Sequence, residues 1–174
     1  MRMGRWAVTG AVLASTLVAV SIVGAQTVSR SDAKFIQQAT QANLGEVQLG
    51  KLAQEKGGDP RVRQFGERMA GDHGQAAKEI QQLAAEKGVS VSSDISSADL
   101  RLRDRLAKLQ PAAFDREYVK EMVKDHKQDV AEFRKMSEKA QDPTLKAWVG
   151  KTLPTLEDHL KMIQSIDASL TAKR

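Results

Sequence analysis

Two Asp-Pro steps, Asp59-Pro60 and Asp142-Pro143, constrain this chain more than any other feature. In each, the aspartate stands where a helix N-cap accepts the first free N–H groups, and the proline fills the first helical position, where its missing N–H costs nothing. Lys56-Gly57-Gly58 and Ala140-Gln141 stand just before them, at the ends of helix-forming runs, so each reads as a tight turn between two helices. From residue 30 onward Ala, Leu, Gln, Glu, Lys and Met dominate and β-branched runs are almost absent, which favours helix over strand. The stretch from Gly88 to Ser97 is irregular and rich in serine, and reads as one long connection. Beyond it Leu102, Leu106 and Leu109 share one stripe of a short amphipathic helix, and Pro111 opens the next long one. The pattern predicts long helices over about 32–57, 60–87, 111–141 and 143–171. The expected fold is therefore all-α. It is a four-helix bundle occupying residues 26–174, with a long crossover containing a short helix between its second and third long helices. Such a crossover makes those two helices parallel.

The chain has no cysteine, so no disulfide can form and the core alone must hold the fold. Residues 1–25 stand apart. Arg2 and Arg5 precede an uncharged apolar run from Ala7 to Val23, closed by the small residues Gly24 and Ala25, the pattern of a secretory signal peptide. Cleavage after Ala25 is expected, with an uncleaved N-terminal anchor as the alternative, and the expected location is the periplasm or outer cell envelope. The remaining 149 residues suffice for one self-sufficient domain. Loss of Arg2 and Arg5 lowers the formal net charge from +5 to +3. Acids and bases are interleaved, as in Arg101-Leu102-Arg103-Asp104-Arg105, and there is little aromatic surface. Nucleic acid is not an expected partner.

Each of the three histidines, His73, His126 and His159, follows an aspartate (Asp72, Asp125, Asp158), and each falls on the apolar stripe of a different helix. Leu145, Val149, Thr152, Leu156, His159, Ile163, Ile166 and Leu170 follow one another in steps of three and four. Met69, His73, Ala76, Ile80 and Leu83 form the corresponding stripe of the second helix. Val119, Met122, His126, Asp129, Phe133 and Met136 form that of the third, and Phe35, Ala39, Ala42, Glu46, Leu49 and Ala53 that of the first. Phe65, Met69, Asp72 and His73 recur 53 residues later as Tyr118, Met122, Asp125 and His126. In parallel helices such a repeat can face itself at one level. At a rise of ~1.5 Å per residue, Glu46 and His73 lie roughly 18 and 22 Å from the first turn, and His126, Asp129 and His159 stand at a similar height above the second.

A central layer of Glu46, His73, His126, Asp129 and His159 is thus geometrically allowed. Imidazole and carboxylate together suit one transition-metal ion, Zn, Fe, Mn or Cu. Asp72, Asp125 and Asp158 point away from their own histidines and could orient rings or bond backbone on neighbouring helices. Met69, Met122 and Met162 lie near the histidines and raise soft ligation of Cu(I) as an alternative to packing. The rival to a metal site is a structural polar layer in an envelope scaffold that binds a membrane surface or an envelope protein. A third reading is proton-transfer catalysis. Pro154 interrupts the fourth helix just before His159, which could aim the ring inward or only curve the packing face. The small residues Gly66, Ala70, Gly74 and Ala77 allow close approach by another helix, within the bundle or across a homodimer.

The opening Asp32-Ala33-Lys34-Phe35 followed by Glu46, the Met69-x-x-Asp72-His73 motif, its repeat at Met122-x-x-Asp125-His126, and the closing Asp158-His159 resemble the bacterial domain-of-unknown-function family 4142 over about residues 30–170. The resemblance implies a ferritin-like four-helix bundle of the cell envelope and names no reaction. Di-iron members of the ferritin-like group carry Glu-x-x-His motifs. Here Ala70, Val123 and Leu156 occupy the position three residues before each histidine, so ferroxidase chemistry is not implied, and a histidine-rich mononuclear site is the more defensible form of the metal reading. No P-loop, nucleophile elbow or dinucleotide glycine motif is present, and no catalytic residue is assigned.

Overall fold

The computed structural model describes residues 28–172, so the expected leader over residues 1–25 lies outside the described residues. Five helices follow in order: α1 (Arg30–Lys56), α2 (Pro60–Glu86), α3 (Ser97–Ala107), α4 (Pro111–Lys139) and α5 (Pro143–Thr171). Asp59 and Asp142 cap α2 and α5 as their sequence context demands, accepting from Arg61 N and from Thr144 and Leu145 N. Ser29 and Ser96 do the same for α1 and α3. Among the described residues no helix is long and apolar enough to cross a membrane.

Helices α1 and α2 form one hairpin and α4 and α5 the other, and α1 lies beside α4 while α2 lies beside α5. The short α3 crosses over α1 and α4, so the crossover covers one side of a four-helix bundle. Cross-bonds at the two ends fix the directions. Asp115, in the first turns of α4, accepts from Gly58 N and Asp59 N in the α1–α2 turn at 2.9 and 2.7 Å. Asp32, in the first turn of α1, accepts from Gln141 N and Asp142 N in the α4–α5 turn at 3.0 and 2.8 Å. Hence α2 and α4 run parallel. Asp32 and Asp115, Asp59 and Asp142, and Pro60 and Pro143 are each 83 residues apart, so the hairpins share one pattern and each ties off the other's turn.

This tie explains where α4 stops. The sequence pattern runs helix to residue 141, but Ala140 leaves helical geometry (ψ 129°), and the next two N–H groups bond Asp32 instead of the preceding turn. The stripes are also wider than a strict three-four count. On α1 the inward residue is Asn43 while Ala42 is exposed, and on α4 Val130 is buried while Asp129 is half-buried. A helix turns 100° per residue, so its buried face takes in neighbours that a single-file count omits.

Gly50 and Gly66 set the α1–α2 spacing. A Cβ on Gly66 would lie 2.6 Å from the Gly50 carbonyl oxygen and 2.7 Å from the Ala53 Cβ. This part of the small-residue strip therefore serves packing inside the bundle. Apolar clusters fill both ends of the interior. Phe35, Ile80, Phe133, Trp148 and Val149 belong to one, and Leu49, Phe65, Met69, Leu106, Phe114 and Met122 to the other.

Candidate metal centre

Between the two apolar clusters, where the helices must be packed on every side, the chain places imidazoles. His73 from α2, His126 from α4 and His159 from α5 are 4%, 0% and 0% exposed. Their ring centroids lie 5.3–5.7 Å apart. One nitrogen of each comes together in a group whose ligand atoms all lie within 4.8 Å of one another. The 53-residue repeat does face itself, because Phe65 meets Tyr118 at 6.4 Å and His73 meets His126 at 5.7 Å. Phe65 also sets its ring edge-on to His126 and His159.

The outer nitrogens decide what the inner ones can do. Asn43 Nδ2 donates to the Ala39 carbonyl at 2.7 Å, which turns Oδ1 toward His73 Nδ1, 2.9 Å away. An amide oxygen only accepts, so His73 carries its proton on Nδ1. His126 Nδ1 lies 3.1 Å from the Met122 carbonyl, again an acceptor alone, and His159 Nε2 lies 2.9 Å from Asp72 Oδ2. Each ring therefore holds its proton outward. His73 Nε2, His126 Nε2 and His159 Nδ1 keep lone pairs, and all three are buried with no hydrogen-bond partner. Three desolvated lone pairs facing one another are costly unless a shared acceptor of electron pairs joins them.

Burial keeps the rings neutral. It pushes His73 well below the usual imidazole range, with His126 and His159 adding to the effect, and it pushes His126 down to about 4 with His159 second. His159 is lowered by burial and pulled back in part by its bond to Asp72. The Asp72–His159 contact is accordingly a hydrogen bond from neutral imidazole to a half-exposed carboxylate, the arrangement that commonly orients metal-binding histidines. Uncharged imidazole is also the form that ligates.

The other sequence candidates fall elsewhere. Glu46 and Asp129 are not among the nitrogens' close group. With Asp99 and Asp125 they line a separate hollow of about 150 Å³ between α1, α3 and α4. Burial raises Glu46 well above the carboxylate range, with Asp129, Asp125 and Asp99 next in effect, and it pushes Asp129 up to about 7. Asp158 is exposed and lies 3.9 Å from Arg68. Met69 and Met122 are fully buried in the apolar cluster below the rings, and Met162 Sδ takes a contact from Arg68 Nη1 at 3.3 Å. Asn43 is the participant the sequence pattern does not single out. It stands one turn beyond Ala39 and one turn before Glu46 on the inner face of α1, a position that marks it only once His73 is seen opposite.

A second hollow of about 140 Å³ lies between α2 and α5, lined in part by Asp72, His73, Glu79, Lys151 and His159. It connects the rim of the histidine cluster to the surface. Lys151 Nζ and Glu79 Oε1 meet across it at 2.7 Å.

The arrangement can be set beside known proteins. The family model described as a domain of unknown function, DUF4142, matches residues 19–166. Two solved structures are similar in fold. One is the crystal structure of a DUF305 fragment from Deinococcus radiodurans, at 15% identity over 82% of this chain and 98% of that one, with a TM-score of 0.71. The other is CopM in the Cu(I)-bound form, at 18% identity over 77% and 93% of the two chains, with a TM-score of 0.65. No curated protein matches the sequence.

Proposed function

From the premise that the chain belongs to the domain-of-unknown-function family 4142, whose name specifies no activity, we propose that it binds one transition-metal ion through His73, His126 and His159 and serves metal handling or envelope stress protection. The observation that carries this reading is the set of three buried, unpartnered ring nitrogens, each aimed inward by an acceptor on its other side. The residues present fit such an ion, which would supply Lewis-acid or redox character at the bundle centre.

Copper is the favoured ion. Three neutral imidazoles with no carboxylate in the close group give a nitrogen-only site, which suits copper or zinc better than the oxygen-preferring manganese. Burial cost rises with the square of the charge, so a monovalent ion carries about a quarter of the cost of a divalent one in the same dry site. CopM, of similar fold, is described in a Cu(I)-bound form, which agrees with this choice. The one long crossover joining parallel α2 and α4 supports the ferritin-like description of the topology.

The leader pattern over residues 1–25 supports export, to the periplasm or outer envelope after cleavage or to a membrane surface through an uncleaved anchor. Among the described residues Leu100 is the one large apolar side chain that is exposed, so an envelope partner, a membrane surface or a second copy would be met through polar side chains. The proposal is tested by the metal content of the mature protein, prepared without a histidine tag and loaded with Cu(I) or Zn(II), beside a His73→Ala, His126→Ala variant. One equivalent bound by the parent and lost in the variant is expected. No stoichiometric metal after loading, with the variant merely less stable, would leave the rings as architecture.

A further inference from the structure

The acidic hollow beneath α3 is a site of different chemistry. We propose that Glu46, Asp99, Asp125 and Asp129 bind a hard divalent cation, Ca²⁺ or Mn²⁺, which clamps the crossover helix onto the bundle. Four carboxylates from three elements, Glu46 on α1, Asp99 on α3 and Asp125 and Asp129 on α4, line one space of about 150 Å³ with only Ala42 and Gln128 beside them. No lysine or arginine is in that lining. Lys124 acts on Asp125 from outside, accompanied by Glu121, and Arg105 of α3 is engaged by Glu117 and Glu121. Glu132 adds a further negative charge near Asp129.

Two observations point to a ligand rather than to a solvated acidic face. Glu46 is 6% exposed, and its Oε2 is buried without any hydrogen-bond partner although its side chain lines the hollow. A lone carboxylate oxygen removed from water needs a partner, and a cation is the partner with the right charge. Asp99, in turn, is seated by design. Ser96 Oγ donates to its Oδ2 at 2.6 Å, and the carboxylate rests against α1 at a residue without a side chain, since a Cβ on Gly45 would lie 2.7 Å from that oxygen. The chain thus brings a third element's carboxylate down beside those of α1 and α4, and the crowding of acids adds to burial in raising Glu46 and Asp129, a cost that a bound cation would relieve.

Oxygen-only donors select hard cations and exclude the soft or nitrogen-preferring ions favoured by the imidazoles. The carboxylates stand wider apart than the histidine nitrogens, which alone among the described residues form a close group within 4.8 Å. The hollow therefore suits an ion that keeps part of its water, as Ca²⁺ and Mg²⁺ commonly do.

The test is thermal unfolding at pH 7.5 with millimolar Ca²⁺, Mn²⁺ or Mg²⁺, of the mature parent, of the His73→Ala, His126→Ala variant, and of Glu46→Gln and Asp99→Asn, Asp129→Asn variants. A cation at about a hundred times its Kd should raise the Tm of the parent and of the histidine variant by roughly 5–10 °C. The carboxylate variants, relieved of like-charge repulsion, should fold without cation and show no rise. Equal Tm with and without cation in the parent would overturn the proposal and mark Glu46 as a protonated core residue. So would a rise retained in the carboxylate variants or lost in the histidine variant. Copper stoichiometry is read separately, so failure here leaves the histidine centre standing.

Discussion

At the scale of single residues, the centre depends on hydrogen bonds that reach the histidines from outside. Asp72 lies in α2 yet holds His159 of α5, and Asn43 of α1 holds His73. Asp72→Asn keeps the shape but replaces a carboxylate that can only accept by an amide that can also donate. Metal affinity should fall about 10–100-fold with little loss of stability, read by competition against a chelator of known affinity. Asp129 offers a prediction in pH. Its carboxyl is held at about 7, so the folded chain retains a proton that the unfolded chain releases. That contribution to stability is full below the unfolded value of about 4 and is lost as pH rises through about 7. His126, held at about 4, acts in the opposite sense: its contribution is present above the unfolded value of about 6.5 and is lost as pH falls toward 4. Comparison of Asp129→Asn with the parent isolates the first effect. The variant should gain relative stability from pH 4 to 7 and then level off, and a flat difference across urea titrations would refute the assignment. The histidines were legible in the sequence because each follows an aspartate and falls on a mostly apolar stripe. Asn43 was not, since one asparagine beside an alanine on a helix face carries no signal until the opposing ring is known.

At the scale of elements, the helix spacing depends on which glycines are crowded. Gly66→Ala adds a methyl group 2.6 Å from a backbone oxygen of α1, which cannot move aside as a side chain could. Overpacking of this kind costs about 1–3 kcal/mol and outweighs the ~1 kcal/mol that alanine gains over glycine as a helix former. Gly71 has nothing within 4 Å of its missing Cβ, so Gly71→Ala should stabilise by about 0.5–1 kcal/mol. Chemical denaturation of the two variants should give opposite signs. The reciprocal turn ties make a third case. Asp32→Ala strands the N–H groups of Gln141 and Asp142, and a loss of about 2–3 kcal/mol is expected for bonds to a charged acceptor. Asp-Pro turns and helix starts were readable because capping is local chemistry. The end of α4 was not, because it is set by Asp32, 109 residues away along the chain.

For the molecule as a whole, the sequence pattern implied one central layer of histidine and carboxylate, whereas the folded chain separates them. The imidazoles turn into the shared interior of α2, α4 and α5, and Glu46 and Asp129 turn to the α1–α4 side beneath α3. Height along a bundle can be counted from the turns, which is why all five residues were expected at one level. The direction around each helix axis depends on how four helices and a crossover pack, and single-file stripes do not encode it. The separation has a chemical consequence, a nitrogen-lined cluster and an oxygen-lined hollow in one bundle, whose donor sets favour different ions. His73, His126 and His159 together present three inward nitrogen lone pairs, a donor set for one ion. X-ray absorption spectroscopy of the mature chain loaded with one equivalent of Cu(I) tests it most directly. Nitrogen donors in the first coordination sphere, with imidazole outer-shell scattering and no sulfur, are expected. A sulfur donor from Met69 or Met122, or oxygen donors from the carboxylates, would contradict it.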